Sequence, residues 1–255
     1  MTIVLKIGGN EIDDSGFLTR VATLAATIRN EGHRLVLVHG GGKEITRLLE
    51  ALGLQTKFVA GLRYTDSESL SAVEMTLSGL INKRLVRALE RLNVTAIGVS
   101  GVDAGILVAE KMLRNGEDVG LVGDVVAVNT SALDSLLEKF VVVLSPISAD
   151  RSHAGSLNVN ADYAAAAVAA SLNSELIIFL SNIPGVLDNG KVLKSLDEKS
   201  FDDLRQKNII GGGMVPKVEA ALNAVKNGAK LAYITDAEGA SRILTREEAG
   251  TRVIA

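Results

Sequence analysis

The chain of 255 residues is long enough for one large α/β domain, and 47% hydrophobic with 22% charged residues is a globular balance. A formal net charge of −3 and only 3% aromatic residues argue against partners that are nucleic acids or anionic membranes. The absence of cysteine excludes disulfides, thiol catalysis and cysteine-ligated metals, and the three histidines lack metal-ligand spacing. We find no signal peptide and no apolar run long enough to span a membrane, so we expect a cytoplasmic location.

Strand patterns alternate with helix patterns along nearly the whole chain, which predicts a mainly parallel sheet covered by helices on both faces. The first strand, Thr2–Ile7, is apolar except for Thr2 and Lys6, and Gly8 and Gly9 follow it directly. One interpretation is an edge strand whose lysine reaches water. The other is that Lys6 lies at the strand's carboxyl end beside a bare backbone, where a phosphoryl group could be held. These residues alone leave both interpretations open.

A second glycine run, His39-Gly40-Gly41-Gly42, lies between a predicted buried strand and a helix. This order is typical of a phosphate- or carboxylate-binding turn, although a purely structural turn has the same pattern. Two better-known phosphate motifs are absent. Glu44 follows Lys43 where the P-loop needs serine or threonine, and Ile45 occupies the last glycine position of the dinucleotide fingerprint. P-loop nucleotidases and Rossmann dehydrogenases are therefore disfavoured.

Arg63 stands just before a long predicted helix, where it is either a carboxylate-binding fork or a surface arginine. Thr65 and Glu68 have the spacing of a capping box and predict the start of that helix. The apolar stripe between Leu70 and Leu89 indicates a core face or a subunit interface. Further along the chain, Asn115-Gly116 predicts a hairpin turn.

Polar residues also mark two later strand and helix ends. Asn158, Asn160 and Asp162 open an alanine-rich helix; any one of them could be a simple cap, but three in five positions exceed what capping requires. Ser181–Val186 is a polar turn after a buried strand, at the kind of edge where open α/β sheets bind ligands.

The triple glycine 211–213 precedes a helix in which we expect Pro216 at the first position and Lys217 in the first turn. A cation is disfavoured there by the helix dipole, which suggests a bound anion that offsets the cost. Two lysines and the triple-glycine runs 40–42 and 211–213, with no cysteine nucleophile and no histidine-based base pair, are suited to phosphoryl transfer, because that reaction depends mainly on positioning and charge neutralisation.

Five motifs, in this order and across nearly the whole chain, resemble the amino-acid kinase superfamily and, within it, the N-acetylglutamate kinases. They are Lys6-Ile7-Gly8-Gly9, Val38-His39-Gly40-Gly41-Gly42, Gly61-Leu62-Arg63, Asn158–Asp162 and Gly212-Gly213-Met214-Val215-Pro216-Lys217. The resemblance implies an α/β fold, a three-layer αβα sandwich with a mainly parallel central sheet. It also implies one domain over 1–255, with a substrate-binding lobe at about 1–172 and a nucleotide-binding lobe at about 173–255.

The resemblance further implies transfer of the ATP γ-phosphoryl group to the side-chain carboxylate of N-acetyl-L-glutamate in arginine biosynthesis. Lys6 and Lys217 would stabilise the transition state, and Asp162 would hold the two lysines in place. The implied substrate-binding residues are Gly41, Gly42, Arg63, Asn158 and Asn160. The implied nucleotide-binding residues are Gly8, Gly9, Ser181, Asn182, Ile183, Pro184, Gly185, Val186, Ile209, Ile210 and Gly211. The motifs contain no metal cage, so Mg²⁺ is expected to arrive with ATP.

Two departures from the family pattern affect the expected partners. Arginine-inhibited relatives carry an N-terminal helix, whereas this chain begins at its first strand, so we expect a homodimer that arginine does not inhibit. Leu80–Arg84 and Phe179–Val186 resemble relatives that phosphorylate a carrier-linked glutamate or aminoadipate. Because Gly61-Leu62-Arg63 is not the Ser-Arg pattern of those relatives, free N-acetylglutamate is preferred. A non-catalytic nucleotide-binding regulator is a third alternative, disfavoured because both lysines and Asp162 are present.

Overall fold

The computed structural model describes residues 1–9, 12–59, 61–152 and 155–254. The strands in these ranges are β1 (Thr2–Ile7), β2 (Arg34–His39), β3 (Phe58–Val59), β4 (Leu62–Arg63), β5 (Ala96–Ser100), β6 (Leu107–Arg114), β7 (Glu117–Val128), β8 (Val141–Ser145), β9 (Ile147–Asp150), β10 (Ser156–Val159), β11 (Leu176–Leu180), β12 (Leu187–Asp188), β13 (Lys191–Val192), β14 (Ser195–Leu196), β15 (Ala232–Thr235) and β16 (Thr251–Val253). The helices are α1 (Ser15–Asn30), α2 (Gly42–Ala51), α3 (Ser67–Glu74), α4 (Asn82–Glu90), α5 (Thr130–Leu137), α6 (Ala161–Ser171), α7 (Glu198–Gln206), α8 (Met214–Lys226) and α9 (Ala237–Leu244). A π-helical segment, Met75–Ile81, joins α3 to α4, and Asp103–Gly105 forms a 3₁₀ turn.

Eight strands form the main sheet in the order β14-β16-β15-β11-β1-β2-β8-β5, and β15–β16 is the antiparallel pair in an otherwise parallel sheet. β1 lies at the centre, where Lys6 is opposite Phe179 on one side and Val38 on the other. All six β1 residues are buried. The edge-strand interpretation of Lys6 is therefore wrong, because both edges of β1 are paired with neighbouring strands.

The sheet separates two apolar clusters, which accounts for the alternation of its side chains. Val4 and Val36 pack on one face with residues of α5, α6 and α8. Ile3, Leu5 and Leu35 pack on the other face with residues of α1, α4 and α9. Helices thus cover both faces, which confirms the predicted three-layer αβα sandwich.

A small closed barrel, β10-β7-β6-β9, lies outside the main sheet. Its longest pair, β6 and β7, is joined at Asn115 and Gly116, which both adopt positive φ. The predicted hairpin turn is confirmed, since this conformation suits Asn-Gly. The barrel itself was not predicted. No helix within the described ranges is long and apolar enough to cross a membrane.

Two predicted helix starts are wrong in detail. Asp66, not Thr65, caps α3 by accepting a hydrogen bond from the Ser69 N–H at 2.8 Å. The Thr65 hydroxyl instead donates to the carbonyl of Arg63 and accepts from the Asn158 amide. Pro216 is the third residue of α8 rather than the first, because that helix begins at Met214; it still falls in the first turn, where its missing N–H costs no intrahelical bond.

Candidate active site

Two lysines and one aspartate meet in the interior. Lys6 of β1 lies 2.8 Å from Asp162 Oδ1, and Lys217 of α8 lies 3.3 Å from the same oxygen. Asp162 stands in the first turn of α6, where the Asn160 side chain caps the helix by accepting its backbone N–H at 2.8 Å. All three charged side chains are buried. The structure therefore brings together three predicted residues that are far apart in sequence, and one carboxylate oxygen bridges two cations.

The cluster holds two cations against one anion, and burial makes that imbalance costly. Burial and the charge of Lys6 lower the pKa of Lys217 to about 8. Burial would raise the pKa of the Asp162 carboxyl, but Lys6 and Lys217 together hold that pKa below its usual value. The site therefore has a surplus positive charge that a bound anion would neutralise.

A cavity of about 720 Å³ opens on one side of this cluster, and all five predicted substrate-binding residues line it. Gly41 and Gly42 lie where β2 leads into α2, Arg63 is in β4, Asn158 is in β10, and Asn160 precedes α6. Its size is within the usual range for a small-molecule site. The predicted substrate residues thus share one cavity with Lys6 and Asp162.

Arg63 is fixed in the wall of this cavity by neighbours from α2 and the β3–β4 hairpin. Its guanidinium donates to the Thr46 hydroxyl at 2.9 Å, to the Gly42 carbonyl at 3.2 Å and to the Thr56 hydroxyl at 3.2 Å, and it stacks 4.9 Å from the Phe58 ring centroid. Burial lowers the pKa of Arg63, yet guanidinium stays charged at neutral pH. A half-buried, oriented guanidinium is suited to binding a carboxylate.

The two glycine turns pack closely against each other. A Cβ added to Gly9 would overlap the backbone of Gly41 and Gly42, and one added to Gly41 would overlap the side chains of Leu77 and Ile81. Only glycine permits this approach. The N-cap residue of α2 is Gly41, which has no side chain, and Gly41 and Gly42 both line the cavity.

A second cavity of about 310 Å³ lies on the other side of the lysines. Gly8, Gly9 and Ser181–Ile183 line it together with Lys217. Both cavities are lined by Lys6, Gly9, Asp162 and Gly213. The two spaces therefore meet at the lysine–aspartate cluster, which is the arrangement needed for a group to pass from one ligand to another.

Six of the predicted nucleotide-binding residues do not line this second cavity. The side chains of Val186 and Ile210 are buried in the apolar cluster that also holds α6 and α8. Pro184 lines a different cavity beside α9, and Ile209 and Gly211 are exposed. Gly185 packs against Val192 and Thr251. The sequence could not separate these positions, since an apolar loop residue has the same pattern whether it packs inward or lines a pocket.

Sequence reasoning also missed residues that line the cavities. Leu77, Phe58 and Val122 form apolar parts of the larger cavity, and Leu180 and Met214 line the smaller one. Leu77 belongs to the stripe of the long helix, which was assigned to core or interface. Its signal was identical to that of its core neighbours, so only the fold distinguishes it.

The described residues contain no group of three or more His, Asp or Glu side chains that could hold a metal ion. Asp162, the acidic side chain common to both cavities, is already bound to two ammonium groups. The described residues around Asp162 therefore present ammonium groups rather than a set of carboxylates.

Comparisons with known proteins find relatives over nearly the whole chain. An acetylglutamate kinase of Roseiflexus castenholzii is 44% identical over 239 residues, which cover 93% of this chain and 90% of the relative. An acetylglutamate kinase of Chloroflexus aggregans is 42% identical over 253 residues, with 97% and 98% covered. The crystal structure of smu.665 from Streptococcus mutans UA159 superposes with a TM-score of 0.85 at 29% identity, covering 100% of this chain and 98% of that one. Residues 1–236 match the model of the Amino acid kinase family, and the chain belongs to that family.

Proposed function

We propose that this protein is an ATP-dependent kinase that transfers the γ-phosphoryl group to the side-chain carboxylate of N-acetyl-L-glutamate, a step in arginine biosynthesis. The observation that carries the proposal is the meeting of two cavities at Lys6, Asp162 and Lys217. Relatives named acetylglutamate kinase, 42–45% identical over most of the chain, support the choice of substrate.

The larger cavity is the proposed acceptor site. Arg63 and Asn158 would bind the α-carboxylate, and the Gly41 and Gly42 N–H groups would bind the reacting carboxylate. Support comes from the fixed guanidinium of Arg63 and from Asn158, whose amide donates to Thr65 at 3.2 Å and so has a defined orientation. Asn160 would act indirectly, because its side chain caps α6 and holds Asp162 in place.

The proposed reaction is a direct displacement at phosphorus. One oxygen of the acceptor carboxylate bonds to the γ-phosphorus while the bond from that phosphorus to the β–γ bridging oxygen breaks, which yields an acyl phosphate and ADP. Lys6 and Lys217 would neutralise charge on the transferred group and on the leaving oxygen. Asp162 would keep the two ammonium groups near each other until the phosphates arrive.

The smaller cavity is the proposed site of the ATP phosphates, with Gly8, Gly9 and Ser181–Ile183 around them. We propose Pro184, Gly185, Val186, Ile209, Ile210 and Gly211 as the outer part of the nucleotide site, where backbone groups would make the contacts. This assignment retains a substrate-binding lobe at about 1–172 and a nucleotide-binding lobe at about 173–255. Mg²⁺ belongs to the proposal only as a companion of ATP. A homodimer in the cytoplasm completes it.

The test is a turnover assay with the purified protein, ATP and N-acetylglutamate. We expect ADP release and an acyl phosphate that hydroxylamine traps, with free glutamate as the matched control for the acetyl group. Turnover only with a carrier-linked glutamate or aminoadipate would replace the acceptor, and ATP binding without any turnover would indicate a regulator. Light scattering of the purified protein tests the dimer, which a monomeric mass would contradict.

A further inference from the structure

His39 is a buried histidine that the proposed reaction has not yet used. It ends β2, it is fully buried, and the glycine run 40–42 begins at the next residue. Its ring does not line the larger cavity, although both Gly40 and Gly41 do. A polar ring at 0% exposure needs partners on both nitrogens or it costs free energy.

The two ring nitrogens have partners of opposite kind. Nδ1 lies 3.3 Å from the carbonyl oxygen of Gly40, which can only accept a hydrogen bond. Nε2 lies 3.4 Å from the side-chain nitrogen of Asn82, which can only donate. One tautomer satisfies both contacts: the neutral ring with its hydrogen on Nδ1. Burial, with the charge of Lys83, lowers the pKa of His39 to about 4, which agrees with a neutral ring.

Asn82 is held in one orientation by its other contacts. Its side-chain nitrogen also donates to the carbonyls of Val143 at 2.9 Å and Val99 at 3.2 Å, and its oxygen accepts from Lys83 at 3.0 Å. The π-helical segment ends directly before it, and a Cβ on Gly98 would overlap its side chain. The two hydrogens of this amide serve three acceptors, so the N–H that faces His39 Nε2 at 3.4 Å is shared with a carbonyl. The amide is fixed at the end of a helix irregularity of the kind that often occurs at functional sites.

The peptide bond between Gly40 and Gly41 transmits this constraint to the cavity. In a planar trans peptide the carbonyl and the N–H point in opposite directions, so a bond that fixes the Gly40 oxygen also aims the Gly41 N–H. The Gly40 N–H donates to the Ile7 carbonyl at 3.1 Å, which anchors the other side of that residue. In the described part of the chain the Gly41 N–H has no backbone acceptor. Glycines would otherwise allow this peptide to rotate.

We propose that His39, fixed by Asn82, is a positioning residue that aims the Gly41 N–H at the reacting carboxylate of the acceptor. This inference rests on the proposed function, because it is the carboxylate of that reaction that receives the N–H. Misplacing an aimed donor by about 1 Å can cost on the order of a hundredfold in rate.

The first experiment compares His39→Leu, His39→Asn and the control His33→Leu with the wild type. His33 is partly exposed and lies outside both cavities. We expect His39→Leu to lower kcat about ten- to hundredfold with KM for ATP within about twofold. His39→Asn, whose amide nitrogen can stand near the Nδ1 position, should recover most of that loss, and His33→Leu should match the wild type. A folded His39→Leu enzyme with unchanged kcat would overturn the proposal.

The second experiment needs no turnover. Nitrogen-15 NMR of the wild-type protein reports which imidazole nitrogen carries the hydrogen, and the His39→Asn spectrum assigns the signal. We expect Nδ1–H with an unprotonated Nε2, constant between about pH 5 and 8. An Nε2–H tautomer would sink the inference even if the leucine variant does not fold. Failure of wild-type turnover with N-acetylglutamate would instead refute the proposed function and leave the tautomer result standing.

Discussion

Lys217→Met tests whether the charge surplus at the site costs stability. Lys217 is buried, its ammonium shares the Asp162 Oδ1 with Lys6, and its pKa falls from 10.5 to about 8. At pH 7 the chain must keep this group charged in a place that disfavours the charge. The corresponding cost in the free energy of folding is about 3 kcal/mol, at about 1.4 kcal/mol for each tenfold change in proton affinity.

Methionine has a similar length and no charge, so it can fill the same space while Asp162 keeps its 2.8 Å contact with Lys6. We therefore expect Lys217→Met to raise the free energy of unfolding of the ligand-free protein by about 1–3 kcal/mol and the melting temperature by about 3–8 °C. The same change should lower kcat at least about a hundredfold, because one cation of the proposed transition state is gone.

Urea unfolding followed by circular dichroism measures the stability difference as a function of pH. The folded pKa of Lys217 lies below its unfolded value of 10.5, so wild-type stability rises as pH increases from about 8 to 10.5. The gain in the variant should therefore be nearly full up to pH 8 and vanish by about 10.5. Asp162→Asn is the control of opposite sign, since it leaves two buried cations unpaired and should cost about 3–5 kcal/mol. A Lys217→Met protein that is less stable than the wild type at pH 7 would refute the reasoning.

Glycine packing, one helix–helix hydrogen bond and the buried histidine give three further predictions. Gly9→Ala should lower the melting temperature by more than about 3 °C, because the added Cβ would overlap the backbone of Gly41 and Gly42. Gly42→Ala is the control, because a Cβ there has open space and should not lower the melting temperature. Equal melting temperatures of the two variants in calorimetry would contradict the close approach of the two glycine turns. Tyr163→Phe removes the hydroxyl that donates to Glu219 at 2.7 Å and so joins α6 to α8. Urea unfolding should show a free energy of unfolding lower by about 1 kcal/mol, and an unchanged value would show that this bond does not stabilise the fold. The free energy of unfolding of the wild type should fall by about 3 kcal/mol as pH falls from 6.5 to 4, because only the unfolded His39 ring takes up a proton in this range. His39→Gln should remove this loss. A stability difference between the two proteins that stays constant over this range would argue against a buried neutral ring.

The sequence was sufficient for the sheet and for the position of the site because both depend on local patterns. Continuous apolar runs at Thr2–Ile7 and Val141–Leu144 are buried parallel strands, as expected, and each glycine run lies at the carboxyl end of such a strand or before a helix. Parallel strands end at one edge, so residues that follow them meet there. The sequence left open whether β1 is an edge strand. Its pairing with β2 and β11 decides this question, and strand pairing cannot be inferred from a local sequence pattern.

The barrel and the π-helical segment could not be predicted because their causes are not local. β7 has irregular register with β6 and pairs with the distant strand β10, where Asn158 is opposite Val122, so its side chains do not alternate cleanly. The stripe through Met75–Ile81 is the same for an α-helix as for a π-helix. Asn82, directly after this segment, is buried against carbonyls of β5 and β8, and those contacts exist only after the sheet has formed.

The order of strands explains why the site has two cavities rather than one. From β1 the chain passes through α1, on one face, to β2. From β11 it passes through the β12–β13 hairpin, the edge strand β14, α7 and then α8, on the opposite face, to β15. Since β1 and β11 are neighbours, their connections diverge at their carboxyl ends and leave a crevice there, which is where open α/β sheets bind ligands. The cavity with Arg63 lies on the β2 side of that crevice and the cavity with Ser181 on the β11 side. Lys6 is the residue of β1 that lines both cavities. A lysine on the central strand can therefore contact a ligand in each cavity with one side chain.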